Sequence, residues 1–159
     1  MIIGVSGYMA SGKTTVANII KKYLADVGVV APVCSFATPI KKAAQEKYGR
    51  KGTREENQQI GDEMRAVDPD CIVKAAMLMA KEEAINGFVI FDDVRKRNEY
   101  DAIRQDGYVI RLVVPDQIDR IERIKKRDGI TPDPKTFLHN TETELDGVGA
   151  DYIIMNGAS

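Results

Sequence analysis

The chain has no tryptophan, one histidine and two cysteines among 159 residues. Those shortages exclude several chemistries. One histidine with Cys34 and Cys71 gives neither the ligand spacing of a structural zinc site nor a disulfide framework. The two thiols read as reduced and buried, so a cytoplasmic protein is expected. A charge imbalance is missing too: 23 basic and 24 acidic residues leave a net charge of −1. Nothing in that balance suggests a nucleic-acid groove or an anionic membrane surface, and neither partner is expected. No apolar run approaches the roughly 20 residues of a membrane span. The N-terminus runs straight into a strand, without a signal-peptide pattern. There is no internal repeat and no low-complexity linker. What is present is ordinary for a globular protein, with 43% hydrophobic and 30% charged residues, enough for one domain over 1–159 with its own core.

The most informative stretch is Gly7-Tyr8-Met9-Ala10-Ser11-Gly12-Lys13-Thr14. It follows the apolar run Ile2 to Val5 and precedes a segment with helical periodicity. Strand, glycine-rich loop and helix in the pattern G-x-x-x-x-G-K-[ST] define a phosphate-binding loop. Gly7 and Gly12 permit backbone angles closed to other residues, so the loop can turn its N–H groups inward. With the helix N-terminus they make an anion site. Gly7, Ala10, Ser11, Gly12, Lys13, Thr14 and Thr15 are thus expected to hold the phosphates of ATP. Lys13 would reach the β- and γ-phosphates, and Thr14 would ligate Mg²⁺.

Along the chain, Val16, Ile19, Ile20, Tyr23, Leu24 and Val27 recur at helical spacing and are expected to face a core. Val33 to Phe36 reads as a second strand and Thr38 to Tyr48 as a helix with proline in its first turn. Arg54 to Arg65 reads as a partly exposed helix. Asp70 is placed to cap a helix over 71–85. Phe88 to Phe91 is a continuous apolar run, as in a parallel strand covered on both faces. A short helix over 96–105, a strand over 108–113 and a basic helix over 115–127 follow, then a loop, a helical stretch near 135–145 and a strand at Tyr152 to Met155. Five strands alternating with helices indicate an α/β fold with a parallel sheet. Ligands of such sheets bind at the carboxyl ends of the strands.

The phosphate-binding loop and Asp92-Asp93 both fall on that edge. One of the two carboxylates is expected to hold Mg²⁺ through water. Arg95 and Arg97 follow, and arginine suits bidentate phosphate binding. Arg120, Arg123 and Arg127 share one helical face; they read either as a lid over a transferring phosphate or as a solvated basic face. Arg54, Gln58 and Arg65 by themselves read as an ordinary exposed helix.

Several motifs together resemble bacteriophage-type deoxynucleoside monophosphate kinases. They are the phosphate-binding loop, Phe36-Ala37-Thr38-Pro39-Ile40-Lys41, the run Arg54 to Gly61, Asp93-Val94-Arg95-Lys96-Arg97-Asn98-Glu99, His139-Asn140-Thr141-Glu142 and the terminal Asp151 to Gly157. The resemblance spans nearly the whole chain. It implies a three-layer P-loop NTPase sandwich of the nucleoside monophosphate kinase type, with an acceptor segment at about 37–70 and a lid at about 116–140. It implies phosphoryl transfer from ATP, with Mg²⁺, to a small-molecule nucleotide, and allows a homodimer. It favours Asp93 over Asp92 as the metal carboxylate beside Thr14. Lys13, Asp93, Arg95, Arg123 and Arg127 become the expected catalytic residues. Lys41, Arg54, Gln58, Arg65, Arg95 and Glu142 are expected to bind the acceptor, and His139 lies near the lid. Lys96 departs from the family pattern, where an apolar residue is usual. Animal-type phosphomevalonate kinases share a similar loop and ending, so a non-nucleotide acceptor is the alternative. A nucleotide-dependent regulatory ATPase is a third reading.

Overall fold

A computed structural model describes residues 1–133, 135 and 144–157. Its elements run β1 (Ile2–Gly7), α1 (Lys13–Asp26), β2 (Val33–Cys34), α2 (Thr38–Tyr48), α3 (Arg54–Val67), α4 (Cys71–Glu83), β3 (Val89–Val94), α5 (Arg97–Arg104), β4 (Gly107–Val113), α6 (Gln117–Asp128) and β5 (Tyr152–Met155). The strands form one parallel sheet in the order β2-β3-β1-β4-β5. β1 is central. The chain winds to one side of it for β2 and β3 and to the other for β4 and β5, so the switch in winding falls beside the end of β1.

Each face of the sheet has its own apolar layer. On one face Val5, Ile90 and Leu112 meet Ala17, Ile20 and Leu24 of α1. On the other, Phe91, Val94 and Val109 meet Val73 and Ala76 of α4 and Ile103 of α5. This three-layer arrangement is the expected α/β fold. A helix laid on a sheet buries one stripe. Ala17, Ile20 and Leu24 centre that stripe on α1, whereas Ile19 and Tyr23 fall on its outer flank at 61% and 69% exposure. Val27 is exposed as well, so the expected six-residue core face is narrower than its periodicity suggests. Both thiols are half-buried rather than buried. Burial and the nearby Glu83 carboxylate push the Cys34 thiol up to about 11, which keeps it protonated and unreactive.

Helix ends explain most shifted boundaries. Asp70 stands at the N-cap of α4, but its side chain makes no cap bond. Its Oδ1 instead accepts from Asn98 Nδ2 at 3.0 Å. α3 starts on a reciprocal capping box. Thr53 Oγ1 accepts from Glu56 N, and Glu56 Oε2 accepts from Thr53 N. The last helical stretch expected near 135–145, with His139 and Glu142, lies largely outside the described residues; among those described, 144–147 form a turn.

Candidate active site

The end of β1 sets the site. Gly7 has φ 145° and Gly12 has φ 94°. A Cβ on Gly7 would stand 2.7 Å from both Leu112 O and Ser11 Oγ. The loop therefore closes only because both positions lack side chains. Ala10 also adopts a left-handed conformation, at φ 61°, a strained state that non-glycine residues hold where the surroundings fix it. α1 begins at Lys13, so its free N–H groups face the loop interior. Lys13 is buried at 8% exposure, and its Nζ donates to Gly7 O and Tyr8 O, both at 2.8 Å.

β3 supplies the carboxylates. Gly4 of β1 pairs with Phe91, but Ser6 pairs with Val94, so β3 carries an extra residue at the level of Asp92 and Asp93. Such an irregularity re-aims side chains, and here it sends two neighbouring carboxylates to different places. Asp92 Oδ2 accepts from Thr14 Oγ1 at 2.9 Å. Asp93 turns to the β2–α2 connection, accepting from Ser35 Oγ at 2.6 Å, Phe36 N at 2.9 Å and Ala37 N at 3.1 Å. Asp92 is thus the carboxylate beside Thr14, while Asp93, expected as the metal carboxylate, bonds to the β2–α2 connection. Asp93 fastens the connection that Phe36 anchors by stacking on Phe91, with ring centroids 4.2 Å apart. The same bonds end β2 at Cys34, two residues earlier than expected. Burial, opposed by the Thr14 hydroxyl, holds the Asp92 carboxyl above the usual range.

A cleft of about 850 Å³ opens over this edge. Ala10, Gly12, Lys13, Thr14, Thr15 and Asp92 line it together with Lys41, Arg65 and Arg95. Arg123 and Arg127 come to it from α6. Arg123 donates from Nη1 to Ala10 O at 3.4 Å and from Nη2 to Asn156 O at 3.0 Å. Arg127 pairs with its neighbour Asp128. Arg120 does not share their position: it lies over the Tyr8 ring, 4.6 Å from the centroid. Ser11, within the loop, is fully buried, and among the described residues its Oγ has no bonded partner.

The acceptor set divides. Arg65 reaches the cleft across Gly61; a Cβ there would stand 3.0 Å from Arg65 Nη1. Its Nη1 is also 3.5 Å from Asp62 Oδ1. Arg54 and Gln58 do not line the cleft and are exposed on α3. Arg54 starts the helix, about three turns from Arg65, and Gln58 is about two turns from Arg65; all three share roughly one azimuth, so it is distance along the axis that separates Arg54 and Gln58 from the cleft. Of the three residues expected to meet the acceptor, only Arg65 lines this cleft. Glu142 lies outside the described residues. Glu99, missed in the sequence, lines the cleft at 6% exposure and accepts from the backbone N–H groups of Arg95 and Lys96 at 2.8 and 3.0 Å. Burial raises its carboxyl above the usual range. The spacing from Lys96 to Glu99 was the available signal.

A glycine-lined loop opening a helix, a buried lysine and a hydroxyl–carboxylate pair at the end of β3 define a P-loop anion site. The chain matches the AAA domain family over residues 3–145 and belongs to it. No curated protein matches the chain. Among solved structures it is similar to a gluconokinase from Sinorhizobium meliloti 1021, at 16% identity and TM-score 0.55, over 99% of this chain and 82% of that one. It is similar to a shikimate kinase from Acinetobacter baumannii in complex with shikimate, at 14% identity and TM-score 0.55, over 99% of this chain and 84% of that one. The APS kinase of Mycobacterium tuberculosis in complex with AMPPNP and APS gives 14% identity and TM-score 0.51, over 99% of this chain and 89% of that one. At these identities the likeness is one of fold. No described helix is long and apolar enough to cross a membrane.

Proposed function

We propose that the chain is a kinase that transfers the terminal phosphoryl group of ATP to a small anionic acceptor, with deoxynucleoside monophosphates as the first class to test. One observation carries the reading: a single cleft is lined both by the phosphate-binding loop and by Lys41, Arg65 and Arg95. Two phosphate-bearing reactants brought to one space need cations on both sides, because charge spreads over the transferring group. Lys13 would serve the donor phosphates and Arg65 the acceptor anion. Arg123 would steady the loop while presenting its guanidinium to the cleft.

Mg²⁺ fits this donor set. Thr14 Oγ1 and Asp92 Oδ2 lie 2.9 Å apart, and among the described residues no group of three or more His, Cys, Asp or Glu forms a protein cage. A hard cation held by one hydroxyl, one carboxylate and substrate oxygens matches that arrangement. Bound there, it would neutralise charge on the donor phosphates. Asp92 would orient its water ligands, and Asp93 would hold the floor of the acceptor side.

A second reading, a small phosphorylated or carboxylated acceptor that is not a nucleotide, gains weight from Arg54 and Gln58. These two residues, expected to bind the acceptor, lie outside the cleft. The test is ADP formation by the purified protein with ATP, Mg²⁺ and single acceptors. The panel holds the deoxynucleoside monophosphates and a set of small sugar acids and phosphates. A rate at least about tenfold above the acceptor-free rate with a monophosphate supports the first reading. The same result with a non-nucleotide acid alone supports the second. Turnover indifferent to every acceptor would make the protein an ATPase.

A further inference from the structure

A phosphate-binding loop works only while its N–H groups point inward. In a planar trans peptide the carbonyl points the opposite way, so the loop's outward carbonyls need partners of their own. Ser11 is fully buried. Its carbonyl accepts from Asn156 Nδ2 at 2.8 Å. That carbonyl and the Gly12 N–H belong to one peptide unit, so fixing one aims the other. A Cβ on Gly12 would come within 2.9 Å of Asn156 Nδ2; the glycine keeps the path of the amide open. The backbone groups of Asn156 are also engaged. Its N–H donates to Val113 O at 2.8 Å, extending the β4–β5 ladder. Its carbonyl accepts from Arg123 Nη2 at 3.0 Å, while Arg123 Nη1 reaches the carbonyl of strained Ala10.

We propose that Asn156 is a positioning residue for nucleotide binding: from the end of β5 it sets the Ser11–Gly12 peptide and anchors Arg123 against the same loop. This rests on the loop being the nucleotide site proposed above. The residue touches no reacting atom in this account. It acts through the loop, so its effect should fall on the donor nucleotide and spare the acceptor.

The experiment is equilibrium binding of Mg·ADP to wild-type protein, Asn156→Ala and Asn156→Asp, with thermal unfolding of each and steady-state kinetics in both substrates. Asn156→Ala removes the donor; Asn156→Asp keeps the shape but sets an oxygen against the Ser11 carbonyl. The expected result is an ADP Kd about tenfold higher for Asn156→Ala, as for one lost buried hydrogen bond, and higher still for Asn156→Asp. The ATP KM should follow, while the acceptor KM stays within about twofold and the unfolding midpoint within about 4 °C of wild type. In a double-mutant cycle with Arg123→Ala, ADP binding should be non-additive, because both residues hold one loop. If Asn156→Asp binds ADP as wild type does, the amide is only a space-filler and the proposal is overturned. If both variants lose ADP only together with their folded state, it is overturned as well. Wild-type protein that binds ADP but phosphorylates no acceptor would instead overturn the kinase reading, leaving the role of Asn156 standing.

Discussion

The phosphate-binding loop and helix α3 are both polar, and both were expected to bind substrate, yet they are built in opposite ways. The loop is held from outside itself: β3 through Asp92, α6 through Arg123 and the end of β5 through Asn156 all bond to it or to its first helical turn. Helix α3 is held largely by its own ends. Its N-terminus closes on Thr53 and Glu56, and Arg50 donates to both Glu56 oxygens at 2.9 and 2.7 Å. Only Ile60 and Gly61 of α3 are buried. A loop braced by three elements fixes each side chain to within a fraction of an ångström. A self-capped helix fixes only which side chains lie on its inner stripe.

Variants of the braced region should show the largest effects. Lys13→Ala removes the buried cation that its helix and loop orient. We expect kcat to fall by about a hundredfold or more, the loss typical of one preorganised charge-stabilising donor, with folding retained. Wild-type turnover by a folded Lys13→Ala protein would break the comparison at its base. Next come the two aspartates. Asp92→Asn should cut the rate by about 10-fold to 100-fold and raise the Mg²⁺ concentration needed for half-maximal rate. Asp93→Asn should leave that Mg²⁺ requirement near wild type and act through the β2–α2 connection, raising the acceptor KM and lowering the unfolding midpoint. The reverse assignment in a Mg²⁺ titration would restore Asp93 as the metal carboxylate.

These differences also mark what the sequence could tell. The loop was legible to the residue because its spacing encodes its geometry. Among the described residues the order of helices and strands followed from periodicity and turn residues, with boundaries displaced by one to three positions. The choice between Asp92 and Asp93 was not legible, because it turns on one extra residue in the β1–β3 register, and register is a tertiary property. Nor was the role of Asn156, which lies 145 positions from the carbonyl it holds. On α3 the residues Arg54, Gln58 and Arg65 recur on one face, and that periodicity does not say which turn of the helix meets the cleft. Gly61, which clears the way for Arg65, carries no charge to draw notice.

Helix α3 itself offers a smaller effect and an internal control. Arg65→Ala should raise the acceptor KM by about tenfold while the ATP KM moves by less than about twofold, as for one charge-assisted contact. Arg54→Ala and Gln58→Ala should leave both constants within about twofold, since neither side chain lines the cleft. Gly61→Ala should reproduce part of the Arg65 effect, because a methyl 3.0 Å from Nη1 displaces the guanidinium. A two-substrate kinetic matrix on the four variants reads all of this. An acceptor KM sensitive to Arg54 or Gln58 but not to Arg65 would show that the acceptor meets the N-terminal turns of the helix rather than its C-terminal end.

The smallest effect concerns the cap, and it is one of stability rather than activity. Hydrogen bonds from Arg50, then from the Thr53 backbone, lower the Glu56 carboxyl from 4.5 to about 2 in the folded chain. In the unfolded chain those partners are gone and the carboxyl returns to its ordinary range. Between the two values the unfolded state binds the proton more readily. The stabilising contribution is therefore complete above the unfolded value and drains away as pH falls through about 2. Glu56→Gln keeps an acceptor for the Thr53 N–H but removes the charge that Arg50 grips. At neutral pH the variant should unfold at a slightly lower urea concentration than wild type. That gap should narrow below the ordinary carboxylate range and close near the folded value, while turnover at neutral pH stays within about twofold. Urea midpoints for the pair, taken across the acid range, measure it directly. A gap that persists unchanged into acid would mean that the Arg50–Glu56 pair contributes nothing that depends on charge. A loss of turnover at neutral pH would mean that the cap of α3 is coupled to the cleft after all, and the contrast between the self-capped helix and the braced loop would fail.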